Sequence, residues 1–211
     1  MLISFKNVLD RHNINPLGVI HVGAHWGQEA KYYYGNGVKK TVWIEADPNC
    51  IDKLKQEVSI YKDALVLNEC VSDVDGKEVV FNISSNDGQS SSYLEFGYHK
   101  IAHPEVSYVS SINLKTKTLN TIFIENKIDI KDYNFLTADI QGAELLLLKG
   151  STDILDDIDC VYAEINDKEV YKNCGLVGEI DEFLKIYGFD RVETQMCGYT
   201  GWGDAVYCKV R

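Results

Sequence analysis

Short apolar runs rich in β-branched residues alternate along the chain with stretches of helical period. GVIHV (18–22) leads into 28–34, TVWIEA (41–46) into 48–59, and ALVLNECV (64–71) follows. NFLTADI (134–140) leads into 143–149, and CVYAEIN (160–166) into 176–187. Strands that alternate with helices predict a parallel sheet joined by right-handed crossovers. In the last of these helices Leu176, Val177, Ile180, Phe183, Leu184 and Tyr187 recur at helical spacing, and Gly188 supplies the stop.

Two further strand patterns, RVETQ (191–195) and AVYCKV (205–210), are separated by the loop MCGYTGWGD with no helix between them. They predict an antiparallel hairpin. An antiparallel last strand begins where its parallel neighbours end, so Trp202 and Asp204 are expected on the carboxyl edge of the sheet, where open α/β sheets bind ligands. The fold class is thus α/β, a doubly wound, Rossmann-like, mostly parallel sheet with an antiparallel last strand.

No linker or repeat divides residues 1–211, which are expected to form one domain. Residues 82–113, NISSNDGQSSSYLEFGYHKIAHPEVSYVSSIN, form a long polar insertion before the fourth parallel strand. Such a segment is either a functional loop or a β-hairpin extension packed on the sheet. Val79, Phe81 and Ile83 alternate as a strand does at its start.

Charge narrows the partners. With 21 basic against 32 acidic side chains the net charge is -11, which disfavours phosphate backbones and anionic lipid. The six cysteines show no C-x-x-C pair, and reduced thiols are expected. The opening MLISFKNVLDRHNINPLG has no apolar core of signal-peptide length and nothing approaches a membrane span, so a cytoplasmic location is expected.

The first strand runs into HVGAHWGQE, a glycine turn spaced G-x-x-x-G rather than G-x-G-x-x-G. Glu45 ends the next strand 22 residues after Gly23, where a carboxylate can accept both ribose hydroxyls. Turn and acid together predict a nucleoside ligand, and the missing glycines argue against a pyrophosphate. S-adenosylmethionine has the ribose without a phosphate.

VIHVGAHWGQE, VWIEADP, FLTADIQGAELLLLKG, VYAEIN and YGFDRVET…GWGDAVY occur in that order across residues 19–207, and the chain there resembles the FkbM family of methyltransferases. The resemblance implies a class I methyltransferase fold, S-adenosylmethionine as cofactor, and O-methylation of a sugar or a glycosylated small molecule. It implies cofactor contacts at His21, Gly23, Ala24, His25, Gly27 and Glu29, then Glu45 and Ala46, Val71 and Ser72, and Asp139 and Gln141. Two positions depart from the family pattern: many members carry Asp where this chain has His21, and Lys where it has Thr137.

Methyl transfer from a sulfonium is an in-line displacement, and a sugar hydroxyl gains from a base or a metal that lowers its pKa. Asp139, at the end of the fourth parallel strand, is the first candidate; its alternative is an acid serving the N-terminus of the next helix. Glu164 stands in an otherwise apolar strand and is expected to face a site or a cation. His99 in the insertion is the third catalytic candidate. Asp139, Glu164 and Asn166 offer oxygen ligands at neighbouring strand ends, a set that Mg²⁺ could use, although no metal motif is present. Glu144 fits a helix N-terminus, and His25 either meets the cofactor carboxylate or caps a helix. Tyr93, Tyr98, Trp202 and Asp204 are the candidate contacts to the acceptor, a carbohydrate rather than nucleic acid. Two other readings share these features: a non-catalytic S-adenosylmethionine-binding module of a glycan-synthesis assembly, and an NAD-dependent oxidoreductase. The absence of an N/D-P-P-Y/F run at 139–142 speaks against an adenine or glutamine N-methyltransferase.

Overall fold

The computed structural model describes residues 1–210. Seven strands form the main sheet: β1 (Gly18–Val22), β2 (Lys40–Glu45), β3 (Ala64–Asn68), β7 (Phe135–Ala138), β8 (Cys160–Asn166), β9 (Phe189–Met196) and β10 (Trp202–Lys209). Their order is β3-β2-β1-β7-β8-β10-β9. β10 alone runs antiparallel to its neighbours, entered through the predicted hairpin from β9. The chain winds outward from β1 through β2 to β3, then returns to lay β7 on the other side of β1. The switch point between β1 and β7 opens a crevice at their carboxyl ends.

The side chains explain why both faces are covered. Val19, Trp43, Phe135, Tyr162 and Val206 point to one face, where they bury α1 (Phe5–His12), α2 (Ala30–Gly35) and α3 (Pro48–Val58). Ile20, Val22, Val42, Ile44, Leu136 and Val161 point to the other, against α5 (Leu119–Glu125), α6 (Glu144–Lys149) and α7 (Val177–Ile186). Residues of both parities are apolar because a central parallel strand has no solvent face. α7 ends as its pattern predicts, with Gly188 at φ +81°. Phe5 of α1 meets Tyr33 and Phe135 edge-on at 4.8 and 5.0 Å. That short helix is capped by Ser4.

ALVLNECV is not one strand. The Glu69 N–H donates to the Glu45 carbonyl, after which β4 (Cys70–Val71) leaves the main sheet and pairs with β6 (Tyr108–Lys117). β5 (Glu78–Ser84) completes this second sheet in the order β4-β6-β5. The predicted insertion therefore begins and ends as two antiparallel strands, in register from Glu78↔Lys115 to Ile83↔Ser110, with a shift before Ser84↔Tyr108. Only the segment between them is free to roof the crevice, and it contains the single helical turn α4 (His99–Ala102). All six cysteines are free thiols. No helix among the described residues is long and apolar enough to cross a membrane.

Of the glycines, the one with least room for a side chain lies at the switch point. Gly23 sits at φ +84°, and a Cβ there would lie 1.6 Å from the Asp139 carbonyl oxygen. Gly23→Ala therefore needs both a left-handed alanine and a parting of β1 from β7. A loss of about 3 kcal/mol, a fall in Tm of roughly 6–12 °C, is expected from thermal unfolding. A variant melting within about 1 °C of the parent would show that the two strand ends separate freely.

Candidate functional site

A cavity of about 550 Å³ opens over the carboxyl ends of β1, β2, β7 and β8 and the start of β10. His21, Gly23, Ala24, His25, Glu29, Glu45, Ala46, Val71, Asp139 and Gln141 line it, as do Tyr93, His99, Glu164, Trp202 and Asp204. Most of the residues singled out in the sequence thus converge on one space. Gly27, Ser72 and Tyr98 do not reach it. Gly27 turns away from the cavity, where a Cβ would press on Leu54 at 2.8 Å. The Ser72 N–H donates to Lys117, tying β4 down. The ring of Tyr98 instead carries the Lys168 ammonium at 4.3 Å. Both turn glycines are therefore required by the chain itself before any ligand is considered.

Glu45 is held at one end of the cavity. Its two oxygens accept the N–H of His25 (2.7 Å) and of Asp47 (2.8 Å), and it is 8% exposed. Burial raises its pKa, and these two N–H donors oppose the rise. A carboxylate offers about four lone-pair sites, so capacity remains for two more donors. Cys70, Val71 and Ala46 flank it with apolar surface. The imidazole of His25 does not cap a helix. It sits at φ 46°, accepts from the Gln28 amide at Nδ1 (2.9 Å), and so donates from Nε2 to the Asp87 carbonyl of the insertion (2.7 Å).

Four carboxyl groups gather at the other end. Glu164 and Asp204 face each other across β8 and β10. The Gln141 amide nitrogen donates to Asp139 Oδ1 (2.8 Å) and to Glu164 Oε2 (3.0 Å). Asp204 accepts from the Tyr162 hydroxyl and the Leu2 N–H. Glu144, fully buried, takes the N–H groups of Ile140 (2.9 Å) and Gly142 (3.2 Å) on Oε1, while its Oε2 has no partner. Burial first, and then neighbouring carboxylates, push Asp139, Glu164 and Glu144 toward their neutral forms. Asp139 is raised by burial and by Asp204, Glu164 well above the usual range by burial and by Asp139, and Glu144 to about 8 by burial, with Asp139 adding. The magnesium set is not assembled. An amide donor occupies the position between Asp139 and Glu164 where a cation would sit, and no group of three His, Cys, Asp or Glu among the described residues could hold a metal.

The two departures from the family pattern are cross-strand partners: His21 on β1 pairs in register with Thr137 on β7. Tyr33 of α2 joins them, its hydroxyl 2.8 Å from His21 Nδ1 and 3.0 Å from Thr137 Oγ1. His21 also stacks on Trp43 at 5.1 Å, and burial lowers its pKa to about 4. A neutral imidazole, phenol and hydroxyl thus bridge β1 and β7 with no charged partner.

The roof is the segment between β5 and β6. Asn86, Ser90, Ser91, Tyr93, His99 and His103 face the cavity from it. Burial, and then His103, lowers the pKa of His99 to about 4; its ring stacks on Phe96 at 4.0 Å and its Nε2 meets Ser90 Oγ at 3.1 Å. Trp202 lines the cavity and also packs against the buried cluster of Phe96, Val170, Tyr171 and Cys174. Tyr33 and Tyr171, which complete these networks, carry no sequence signal beyond being aromatic.

A mostly parallel seven-stranded sheet with one antiparallel strand, reversed beside β1 and cleft at its carboxyl edge, is the class I methyltransferase fold. Residues 21–191 match the methyltransferase FkbM domain, and the chain belongs to that family. It is similar to the crystal structure of methyltransferase FkbM from Methylobacillus flagellatus at 14% identity and a TM-score of 0.58, over 90% of this chain and 43% of that one. The chain thus spans less than half the length of that relative. Magnesium protoporphyrin IX methyltransferase from Synechocystis with bound SAM is similar at 9% identity and a TM-score of 0.54, over 97% of this chain and 76% of that one. A putative RNA methyltransferase from Pyrococcus horikoshii is similar at 13% identity and a TM-score of 0.50, over 98% and 81%. None of the curated proteins matches the sequence.

Two outcomes test this electrostatic account. Glu144 keeps its proton in the fold to about pH 8 but releases it near 4.5 when unfolded, so the folded state binds more protons between those values. Stability must then fall as pH rises across that window. Glu144→Gln keeps the acceptor for Ile140 and Gly142 and removes the proton. Its Tm is expected to exceed the parent's by several degrees at pH 8, with the gap closing toward pH 5. A gap of equal size at both values would show that Glu144 is ionised in the fold.

The second outcome concerns the neutral triad. His21→Asp and Thr137→Lys each bury a charge without its partner and are expected to cost roughly 3 kcal/mol apiece in urea unfolding. The double variant brings the charges together on adjacent strands and is expected to recover about 2 kcal/mol of the summed loss. Strict additivity would show that the two positions do not meet as an ion pair.

Proposed function

We propose that this protein is an S-adenosylmethionine-dependent O-methyltransferase whose acceptor is a neutral, hydroxyl-bearing molecule, a sugar hydroxyl foremost. The observation that carries the reading is the charge of the cavity. Glu29, Glu45, Glu69, Glu105, Asp139, Glu164 and Asp204 line it, and no Lys or Arg of the described residues does. Such a lining favours a positively charged ligand and gives phosphate or carboxylate acceptors no lysine or arginine as counterion. The overall charge of -11 argues in the same direction against nucleic acid.

The residues fit the cofactor. Glu45 has acceptor capacity left for two ribose hydroxyls, with Ala46, Cys70 and Val71 offering an apolar wall beside it. When bound, the cofactor supplies an electrophilic methyl group on a sulfonium. The chain's own part is to hold the acceptor hydroxyl in line, exclude water beneath the roof, and take the hydroxyl proton. Asp139, open to the cavity and fixed by Gln141, is the group proposed to take that proton, with Glu164 beside it. Trp202 and Tyr93 offer faces on which sugar C–H groups can pack.

Methyl-labelled S-adenosylmethionine incubated with a panel of neutral glycans and glycosylated small molecules tests the reading. Label is expected in at least one acceptor, and Asp139→Asn is expected to lower its turnover about 10²-fold while cofactor affinity stays within several-fold. Tight NADH binding in calorimetry, with no heat from S-adenosylmethionine or S-adenosylhomocysteine, would end it.

A further inference from the structure

Besides the bonds to His25 and Gln141, the roof is fastened along the loop that follows β8. Phe96 and Tyr171 form an isolated antiparallel bridge. Around it the N–H groups of Gly97 and His99 donate to the Val170 carbonyl (2.9 and 3.1 Å), and that of Tyr98 to Glu169 (2.7 Å). The N–H of Lys172 returns to the Glu95 carbonyl at 2.7 Å. A Cβ at Gly97 would stand 2.3 Å from the Glu169 carbonyl oxygen, so glycine is what permits this approach.

Tyr171, thus held, is 1% exposed and donates its hydroxyl to Gln141 Oε1 at 2.6 Å. The backbone of Gln141 is fixed as well. It sits at φ 55°, the roof's Ser92 hydroxyl donates to its carbonyl at 2.9 Å, and the ring of Tyr171 fills the space where a Cβ of Gly142 would be. With Oε1 taken by the phenol, the amide nitrogen must face Asp139 and Glu164, and it donates to both. The flipped amide would set an oxygen against two carboxyl groups with nothing to donate to them.

We propose that Tyr171 and Gln141 are positioning residues through which the seated roof aims Asp139 and Glu164 and keeps one of them ionised to accept the hydroxyl proton; this rests on the methyltransferase reading above. The groups facing the pair are Asp204 from β10, Glu144 from α6, His21 from β1, Tyr162 from β8, Tyr171 from the loop after β8, and the amino group of Met1. Burial and the neighbouring acids favour the neutral carboxyl forms, and the two N–H bonds of Gln141 oppose them. If those donors are lost, both carboxyl groups hold their protons to higher pH.

The test uses two variants with separate readouts. Tyr171→Phe removes the hydroxyl and keeps the ring against Phe96 and Gly142; Gln141→Met removes the donors themselves. Carbon-13 NMR of protein labelled at Asp and Glu carboxyls, assigned with Asp139→Asn and Glu164→Gln, follows the pair directly. Gln141→Met is expected to raise its lower apparent pKa by roughly 1 unit, the size of losing a hydrogen bond to a charged group, and Tyr171→Phe to move it the same way. With the methyl-labelled cofactor and an acceptor found in the panel, the acid limb of kcat is expected to shift upward in step, and in Tyr171→Phe the KM for S-adenosylmethionine is expected to stay within about twofold. A lower Tm with an unmoved carboxyl titration in both variants would assign the two residues to packing alone and overturn the proposal. If the parent labels no acceptor at all, the methyltransferase reading fails by itself, and the titration still decides whether the roof governs the carboxylates.

Discussion

The site depends on a place where two strand ends touch through their backbones. Asp139 donates its N–H to the Val22 carbonyl and lays its own carbonyl against the bare Cα of Gly23. That contact holds β1 and β7 together at the point where strand order reverses. It also fixes where the Asp139 carboxyl group stands relative to the turn that follows β1. From the same turn the N–H of His25 fixes Glu45, and its imidazole fixes the Asp87 end of the roof. Both ends of the cavity are therefore referred to one short stretch of chain. The second glycine, Gly27, serves the same stretch by letting α3 close over it through Leu54.

The sequence made the scaffold easy to read where periodicity and punctuation agreed. β1 spans the residues its pattern marks, α7 stops before Gly188, and the β9–β10 hairpin sets Trp202 opposite Asn166 and Asp204 opposite Glu164. It was less legible where pairing depends on distant chain. Nothing local in ALVLNECV says that Glu69 ends the ladder, because the partner of Cys70 and Val71 lies more than forty residues on, at Thr116 and Lys117. α1 and α5 leave little mark in the sequence because they are short, and tertiary burial rather than a long apolar stripe holds them. In the site, carboxylates in apolar strands announced themselves, since Glu164 has no structural reason to be there alone. Tyr33 and Tyr171 did not, because an aromatic residue in a sequence looks the same whether its hydroxyl is idle or bridges two strands.

The His21–Tyr33–Thr137 group shows how a fold can keep a position and change its chemistry. An acid and a lysine on adjacent central strands attract each other but must both leave water, and that cost can equal the attraction. A neutral trio costs less to bury and asks only that each polar atom find one partner, which the phenol of Tyr33 supplies to both strands. Thr137 also places no cation on β7 beside Asp139. With no lysine at 137, the carboxyl groups above lack a fixed positive neighbour on β7, and their protons are governed by burial, by one another, by the Gln141 amide and then by the Met1 amino group.

That dependence ties the roof to the chemistry. In a cluster where a lysine or arginine stood beside Asp139, the ionised form would be secured by Coulomb attraction, which falls slowly with distance and tolerates small displacements. On the proposed assignment it rests chiefly on hydrogen bonds from one amide, and these weaken steeply when the donor turns away. The amide is turned by a hydroxyl, the hydroxyl is placed by a β-bridge, and the bridge is made by the roof. Substituting short-range donors for a fixed charge makes the state of the carboxyl groups sensitive to whether the segment between β5 and β6 is seated. A cavity walled by acids and roofed by a docked segment would, on that assignment, carry its own condition for use: the proposed proton acceptor is set only when the space above it is closed to water.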